Sequence, residues 1–173
     1  MEINDTLIQQ YNEPLAGGGL PAEHLAELVA SEPMVLLHFL RHLGCIYCKH
    51  TVEQLRELTQ QMPRFPTIYF VHQSPVEVGH DFFAERFPGA RHISDPKRKL
   101  FQLFGINRLK GFNLLNPKMF MLGIQLMRKG HRNEMGFGDI MMLSGTFLFR
   151  DGKLIWKHRA QFAGDDPKWN QLG

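Results

Sequence analysis

The sequence predicts an α/β protein in which a central mixed β-sheet is flanked by helices. Three observations carry that reading. Residues 34–40 form a short apolar run broken only by His38, of strand rather than helix length. A helix-period stripe of Cys48, Val52, Leu55, Leu58 and Met62 follows, with Lys49, Glu53, Arg56, Glu57 and Gln60 on its opposite face. Residues 67–72, TIYFVH, then read as a second strand, and two strands joined by a helical crossover run parallel. Near the other end, residues 146–149 and 154–158 are joined at Asp151-Gly152, a hairpin signal, so that pair is antiparallel. Parallel and antiparallel pairs in one chain make the sheet mixed.

Taken in order, residues 1–20 hold Leu7, Ile8 and Tyr11, enough for one loosely packed helical turn. They end in a glycine run at 16–19 that reads as flexible punctuation. Residues 21–30 look helical, with Pro21 at the start and Leu25, Leu28 and Val29 as the apolar stripe. After the cysteine helix, Pro63 and Pro66 break the chain before the 67–72 strand. Val76, Phe82, Phe83 and Phe87 mark a further helix that stops at Pro88-Gly89, and residues 90–94 suit a short third strand. Asp95 is placed to cap the next helix, with Pro96 at its first position and Gly105 at its end. Residues 117–127 suit a buried helix and 128–138 a basic, glycine-rich loop. The tail from Ala160 is polar and rich in turn residues.

The 173 residues suit one domain over 1–173. Twenty basic residues against 17 acidic ones leave a net charge of +3, too small an excess to imply nucleic acid. The short basic clusters at 97–99 and 128–132 read as solvated faces, and no lipid role is expected of them. No apolar run approaches the ~18 residues of a spanning helix. The polar N-terminus lacks a leader pattern. The expected location is cytoplasmic, with no membrane partner, and there a Cys-x-x-Cys is more often catalytic than structural.

Both cysteines, Cys45 and Cys48, sit where strand hands over to helix, just after Gly44. Residues three apart in a first helical turn share a face. The unpaired N–H groups there favour a thiolate, which is the nucleophilic form. Arg41, His42, Lys49 and His50 add positive or potentially positive charge. Cys48 continues the apolar stripe and is expected to be the more buried sulfur, with Cys45 at the mouth as the attacking one. Strand alternation leaves open whether Arg41 faces the site. A zinc site, with ligands from His42 and His50, is an alternative reading, as are two inert buried thiols. His38 reads as a core histidine.

The run Phe39-Leu40-Arg41-His42-Leu43-Gly44-Cys45-Ile46-Tyr47-Cys48, followed by Leu55-Arg56-Glu57-Leu58, resembles the peroxiredoxin-like branch of the thioredoxin superfamily. That branch is grouped with alkyl hydroperoxide reductase and thiol-specific antioxidant proteins. Three later stretches are similar to it. They are Ser94-Asp95-Pro96 with Phe104-Gly105-Ile106, Gly138-Asp139 with Leu143-Ser144-Gly145-Thr146-Phe147-Leu148, and Lys157-His158-Arg159 with Gly164-Asp165. Together they cover residues 34–166.

The resemblance implies a thioredoxin-like fold with an N-terminal extension over 1–33 and an insertion over 106–142 before the terminal hairpin. Carried over by position, Cys45 is the nucleophile and Cys48 the resolving thiol. Gly145 and Thr146 would face them from the hairpin, where thioredoxins proper place a cis-proline, and Arg159 would reach the thiolate beside Arg41. The implied activity is thiol–disulfide exchange, with an external thiol reductant and no cofactor or metal. A weak peroxidase acting on small peroxides and a non-catalytic redox sensor or binding module are the alternatives. The insertion, rich in Leu, Met and Phe, is expected either to pack over the cysteine end of the sheet, the favoured reading, or to build a subunit interface.

Overall fold

The computed structural model of the protein describes residues 3–110 and 116–172. The expectations for 1–33 and 106–142 therefore fall outside the described residues at 1–2 and 111–115. A six-stranded sheet runs β1-β4-β3-β2-β5-β6. Its centre is β2 (Met34–Phe39). β2 runs parallel to β3 (Thr67–His72), with Leu37 opposite Tyr69, and antiparallel to β5 (Gly145–Arg150), with Leu37 opposite Phe147. β4 (Arg91–Ser94) continues the parallel half, and β6 (Lys153–Arg159) closes the hairpin. The expected mixed sheet is thus present, with thioredoxin-like order in its core strands.

One strand went unread in the sequence. β1 (Ala16–Gly18) lies antiparallel on β4, where flexible punctuation was expected. Glycine is what makes this pairing possible. A Cβ on Gly17 would lie 1.9 Å from the His92 carbonyl oxygen, so the strand pairs only because that atom is missing.

Strand alternation sorts the core into two layers. Val35, Leu37, Phe39, Tyr69, Val71, Phe147 and Phe149 face one way. They pack with α1 (Asp5–Gln10), α2 (Leu25–Val29) and α5 (Lys99–Leu103). The Phe39 ring lies 4.9–5.6 Å from the rings of Phe101, Phe104 and Phe147. Leu36, Ile68, Phe70 and Leu148 face the other way, onto α3 (Ile46–Gln61) and α4 (Val76–Arg86). Both cysteines belong to this second layer. At its edge the tail forms a single 3-10 turn, Trp169–Gln171, whose indole meets His38 edge-on at 5.3 Å.

α5 starts later than its sequence suggests. Asp95 and Pro96 precede a tight turn in which Arg98 takes a left-handed conformation (φ 58°), and the helix begins at Lys99. The Asp95 carboxylate still reaches the helix. It accepts from the N–H groups of Lys99 (2.9 Å), Leu100 (2.8 Å) and Phe101 (3.1 Å), donors that have no partner within the helix. Because it is buried, no water replaces it. Asp95→Ala is expected to lower stability by ~1–3 kcal/mol in urea unfolding, and Asp95→Asn by clearly less. Equal losses in the two variants would show that the carboxylate does not cap.

Candidate active site

Cys45 is the N-cap residue of α3, with extended backbone (φ −75°, ψ 127°). Its carbonyl starts the helix by accepting from Lys49 N at 3.0 Å. Cys48 lies one turn on. Both are free thiols and both are buried, Cys45 at 1 % and Cys48 at 3 % exposure. The expectation of an open Cys45 above a buried Cys48 is therefore corrected. The insertion covers Cys45.

Arg41 stands one turn before Cys45, just past the end of β2, and faces the site. Its Nη1 donates to Cys45 Sγ at 3.2 Å. Its Nε donates to the Met142 carbonyl at 2.8 Å and its Nη2 to the Ile140 carbonyl at 3.0 Å. A hydrogen bond from Cys48, the Arg41 cation and the first-turn N–H groups of Tyr47 and Cys48 together pull the Cys45 thiol down to about 6, against the opposing effect of burial. Cys48 is pushed up by burial and by the neighbouring Cys45 anion. The two sulfurs thus differ in the direction a nucleophile and a reserve thiol require. His42 is neutral: burial first, then Arg41 and Lys49, lower it to about 4.

Residues 132–136 form a strap across the start of α3. Asn133 Oδ1 accepts from Ile46 N at 3.0 Å, and Glu134 N donates to the Gly44 carbonyl at 2.9 Å. Lys49 donates to the Arg132 carbonyl at 3.0 Å and pairs with Glu134 at 2.7 Å. Between the strap, α6 (Pro117–Arg128) and the returning segment lies a cavity of about 580 Å³. Cys45 and Arg41 lie at its base, and Leu109, Met119, Met135, Ile140 and Met141 make its walls mainly apolar.

The remaining residues expected at the site divide by strand parity. Thr146 lies in the cysteine layer, but its hydroxyl is engaged with His38 Nδ1 at 3.0 Å, and burial lowers that histidine to about 3. Gly145 and Arg159 belong to the other face. A Cβ on Gly145 would meet Ile106 at 2.3 Å, so this glycine admits the insertion's first residue rather than serving the sulfurs. Arg159 donates from Nε to the Phe104 carbonyl at 2.8 Å and lies over the Phe147 ring, so the structure turns it toward α5. Arg41 occupies the position beside the sulfur that was expected for Arg159.

Four site residues were not anticipated. Asn133 caps α3. Asp166 accepts from the Thr51 hydroxyl, and burial raises its carboxyl to about 6. Gln73 and Asp139 brace Arg41. Gln73 donates to the Arg41 carbonyl and accepts from Asp139 N at 2.8 Å, and Asp139 accepts from Met141 N at 3.0 Å. Gly138-Asp139 and Gly164-Asp165 enter the sequence reading as stretches of the family resemblance, with no role at the site for Asp139 or Asp166.

Residues 54–161 match the sequence model of the AhpC/TSA antioxidant enzymes, well over half of the chain. The chain belongs to the AhpC/TSA antioxidant enzyme family. It is a thiol-dependent oxidoreductase with a thioredoxin-like, peroxiredoxin-like fold. The matched stretch begins after both cysteines. Solved structures similar to this AhpC/TSA chain include a peroxiredoxin Q from Xanthomonas campestris (17 % identity, TM-score 0.62, 92 % of this chain and 85 % of that one). Another is peroxiredoxin Q from Xylella fastidiosa (16 % identity, TM-score 0.58, 99 % and 90 %). A third is the peroxidoxin BcpB from Mycobacterium tuberculosis (16 % identity, TM-score 0.55, 80 % and 75 %). No curated protein matches in sequence. Among the described residues no helix is long and apolar enough to cross a membrane.

Cys45 alkylation is expected to rise with pH through about 6 and to fall below it as the thiolate is protonated. Arg41→Met removes the adjacent cation, so the midpoint should move up by about one unit or more. Thiolate absorbance titration reads both, and an unmoved midpoint would remove Arg41 from the site. Gly44→Ala should dislodge the strap, because its Cβ would lie 2.2 Å from the Glu134 carbonyl oxygen. Faster proteolysis within 131–137 of the folded variant would show this.

Proposed function

We propose that the protein is a thiol peroxidase in which Cys45 is the peroxidatic nucleophile and Cys48 resolves it. One observation carries this choice over protein disulfide exchange. Cys45 lines a mainly apolar cavity and is itself only 1 % exposed, with a guanidinium on its sulfur. With the strap in place such a sulfur favours a small peroxide over a folded protein's disulfide.

The chemistry follows from the geometry. The Cys45 thiolate attacks one peroxide oxygen, an S–O bond forms and the O–O bond breaks. The sulfur loses two electrons and becomes a sulfenic acid, and the departing alkoxide or hydroxide takes a proton to leave as alcohol or water. The Arg41 guanidinium steadies negative charge first on the sulfur and then on the oxygens. The Cys48 thiol, one helical turn away, then attacks the sulfenic sulfur. An S–S bond forms, the S–O bond breaks, and the hydroxyl leaves as water with the Cys48 proton. An external dithiol reductant returns both cysteines to thiols and is itself oxidised to a disulfide. We place the reaction in the cytoplasm, where thiols stay reduced between turnovers. Disulfide exchange at the same pair is the second reading, favoured by the Cys-x-x-Cys spacing.

Peroxide consumption and insulin reduction, measured on one preparation with a dithiol reductant, separate the two. Cys45→Ser should abolish peroxide consumption, lowering it by about a thousandfold or more. Cys48→Ser should stop after one turnover with a sulfenic acid trapped at Cys45. Oxidation appearing first at Cys48, or insulin reduced well while peroxide is untouched, would sink the peroxidase assignment.

A further inference from the structure

From Pro96 to Asn133 the chain contains no Asp or Glu, yet it carries nine Lys and Arg residues, at 97, 98, 99, 108, 110, 118, 128, 129 and 132. Of these, Arg98 and Arg108 pair with Asp139, and Lys99 pairs with Glu13. Lys97, Lys110, Lys118, Arg128, Lys129 and Arg132 form no salt bridge among the described residues. Four of these six lie on α6 or within four residues of its end.

α6 is amphipathic in an unusual sense. It buries Leu126 and half-buries Met119 and Leu122 against the protein. Its outward arc is also apolar: Phe120 is 54 % exposed, Met121 63 %, Ile124 47 % and Met127 58 %. At 3.6 residues per turn these four fall on one side, with Arg128 among them and Lys118 and Lys129 at the border. The exposed Met135 and Ile140 continue the apolar surface around the Cys45 cavity, which α6 itself lines through Met119. Single exposed apolar residues need no explanation, but four on one helix face beside unpaired cations do.

We propose that α6 is an interfacial helix that docks the protein on an anionic lipid surface, with Phe120, Ile124 and Met127 entering the headgroup boundary and Lys118, Arg128 and Lys129 meeting lipid phosphates. An apolar arc bordered by cations is the pattern by which helices bind anionic bilayers. A second copy of the chain fits less well. A two-fold contact would set like against like, stacking this cationic border on itself with no carboxylate in the segment to relieve it. The sequence alone showed only scattered basic clusters. The fold brings them to one helix with its outward apolar face.

The test is flotation of the reduced protein with vesicles. One set is phosphatidylcholine alone, and the other is phosphatidylcholine mixed in equal parts with phosphatidylglycerol. Binding is expected to the mixed vesicles only, weakening with salt. Phe120→Glu/Ile124→Glu and Arg128→Glu/Lys129→Glu should each weaken it by roughly tenfold or more. These residues are exposed, and unchanged Cys45 alkylation will show that the variants fold. The proposal is overturned by no flotation, by equal flotation with both vesicle types, or by binding indifferent to both variants. It is also overturned if sedimentation equilibrium shows a dimer that Phe120→Glu/Ile124→Glu splits, which would assign the face to a second copy.

Discussion

The Arg41 guanidinium ties three parts of the molecule together. It is 8 % exposed, and a cation so placed is costly unless its donors find acceptors. Two acceptors are carbonyls of the segment returning from the insertion, at Ile140 and Met142, and the third is Cys45 Sγ. The insertion therefore holds the cation that favours the thiolate. The dependence runs both ways. A protonated Cys45 would leave Arg41 with neutral acceptors only, so the thiolate is also what stabilises the cation under its cover. Asp139 and Gln73 extend the bracing, since Asp139 holds Met141 N while Gln73 joins Asp139 to the Arg41 backbone. The insertion is thus part of the site's electrostatics.

The same economy separates the sulfurs. The hydrogen bond between Cys48 and Cys45 lowers one thiol and raises the other. Helix position decides which is which. Cys45 is the N-cap, ahead of the unpaired N–H groups, whereas Cys48 lies a turn inside and is committed to the apolar layer of Val52 and Leu55. The Cys45 anion is one cause of the raised Cys48 value, and it is gone once Cys45 is a neutral sulfenic acid, so oxidation of the first sulfur eases the deprotonation that the second needs in order to attack.

The sheet and the cysteine helix were legible in the sequence because they are written in local periodicity. Residues 34–40, 67–72 and the Asp151-Gly152 hairpin announce themselves within a few positions. What was not legible depends on partners far along the chain. β1 is glycine-rich and has little strand propensity. It exists because β4, some seventy residues later, offers an edge against which Gly17 fits. The orientation of Arg41 could not be read from alternation, because β2 ends at Phe39 and the rule ends with it. Arg159 shows the converse. Its pairing with Gly145 fixes its parity, which places it with Phe147 and away from Cys45, but that register is fixed by strand pairing and not by composition. Asn133 and Asp166 reach α3 across 87 and 115 residues.

Under the proposed function the covered Cys45 must still be regenerated, and the strap bears on how. Its hold on α3 consists of the Asn133–Ile46, Glu134–Gly44 and Lys49–Arg132 hydrogen bonds and the Lys49–Glu134 pair. At ~1 kcal/mol net for each hydrogen bond, and less for the ion pair because Glu134 is solvent-exposed, the strap is held by roughly 3–4 kcal/mol. That is below the ~5–15 kcal/mol typical of a whole domain, so releasing the strap alone costs less than unfolding the sheet. Its open population is then below roughly 1 %. In the proposed cycle a small peroxide reaching Cys45 through the cavity would have no need of that opening, whereas a reductant protein that must touch a Cys45–Cys48 disulfide would. Attack and regeneration in that cycle would therefore place different demands on the same five residues, and loosening the strap would help the second step while uncovering the sulfur that serves the first.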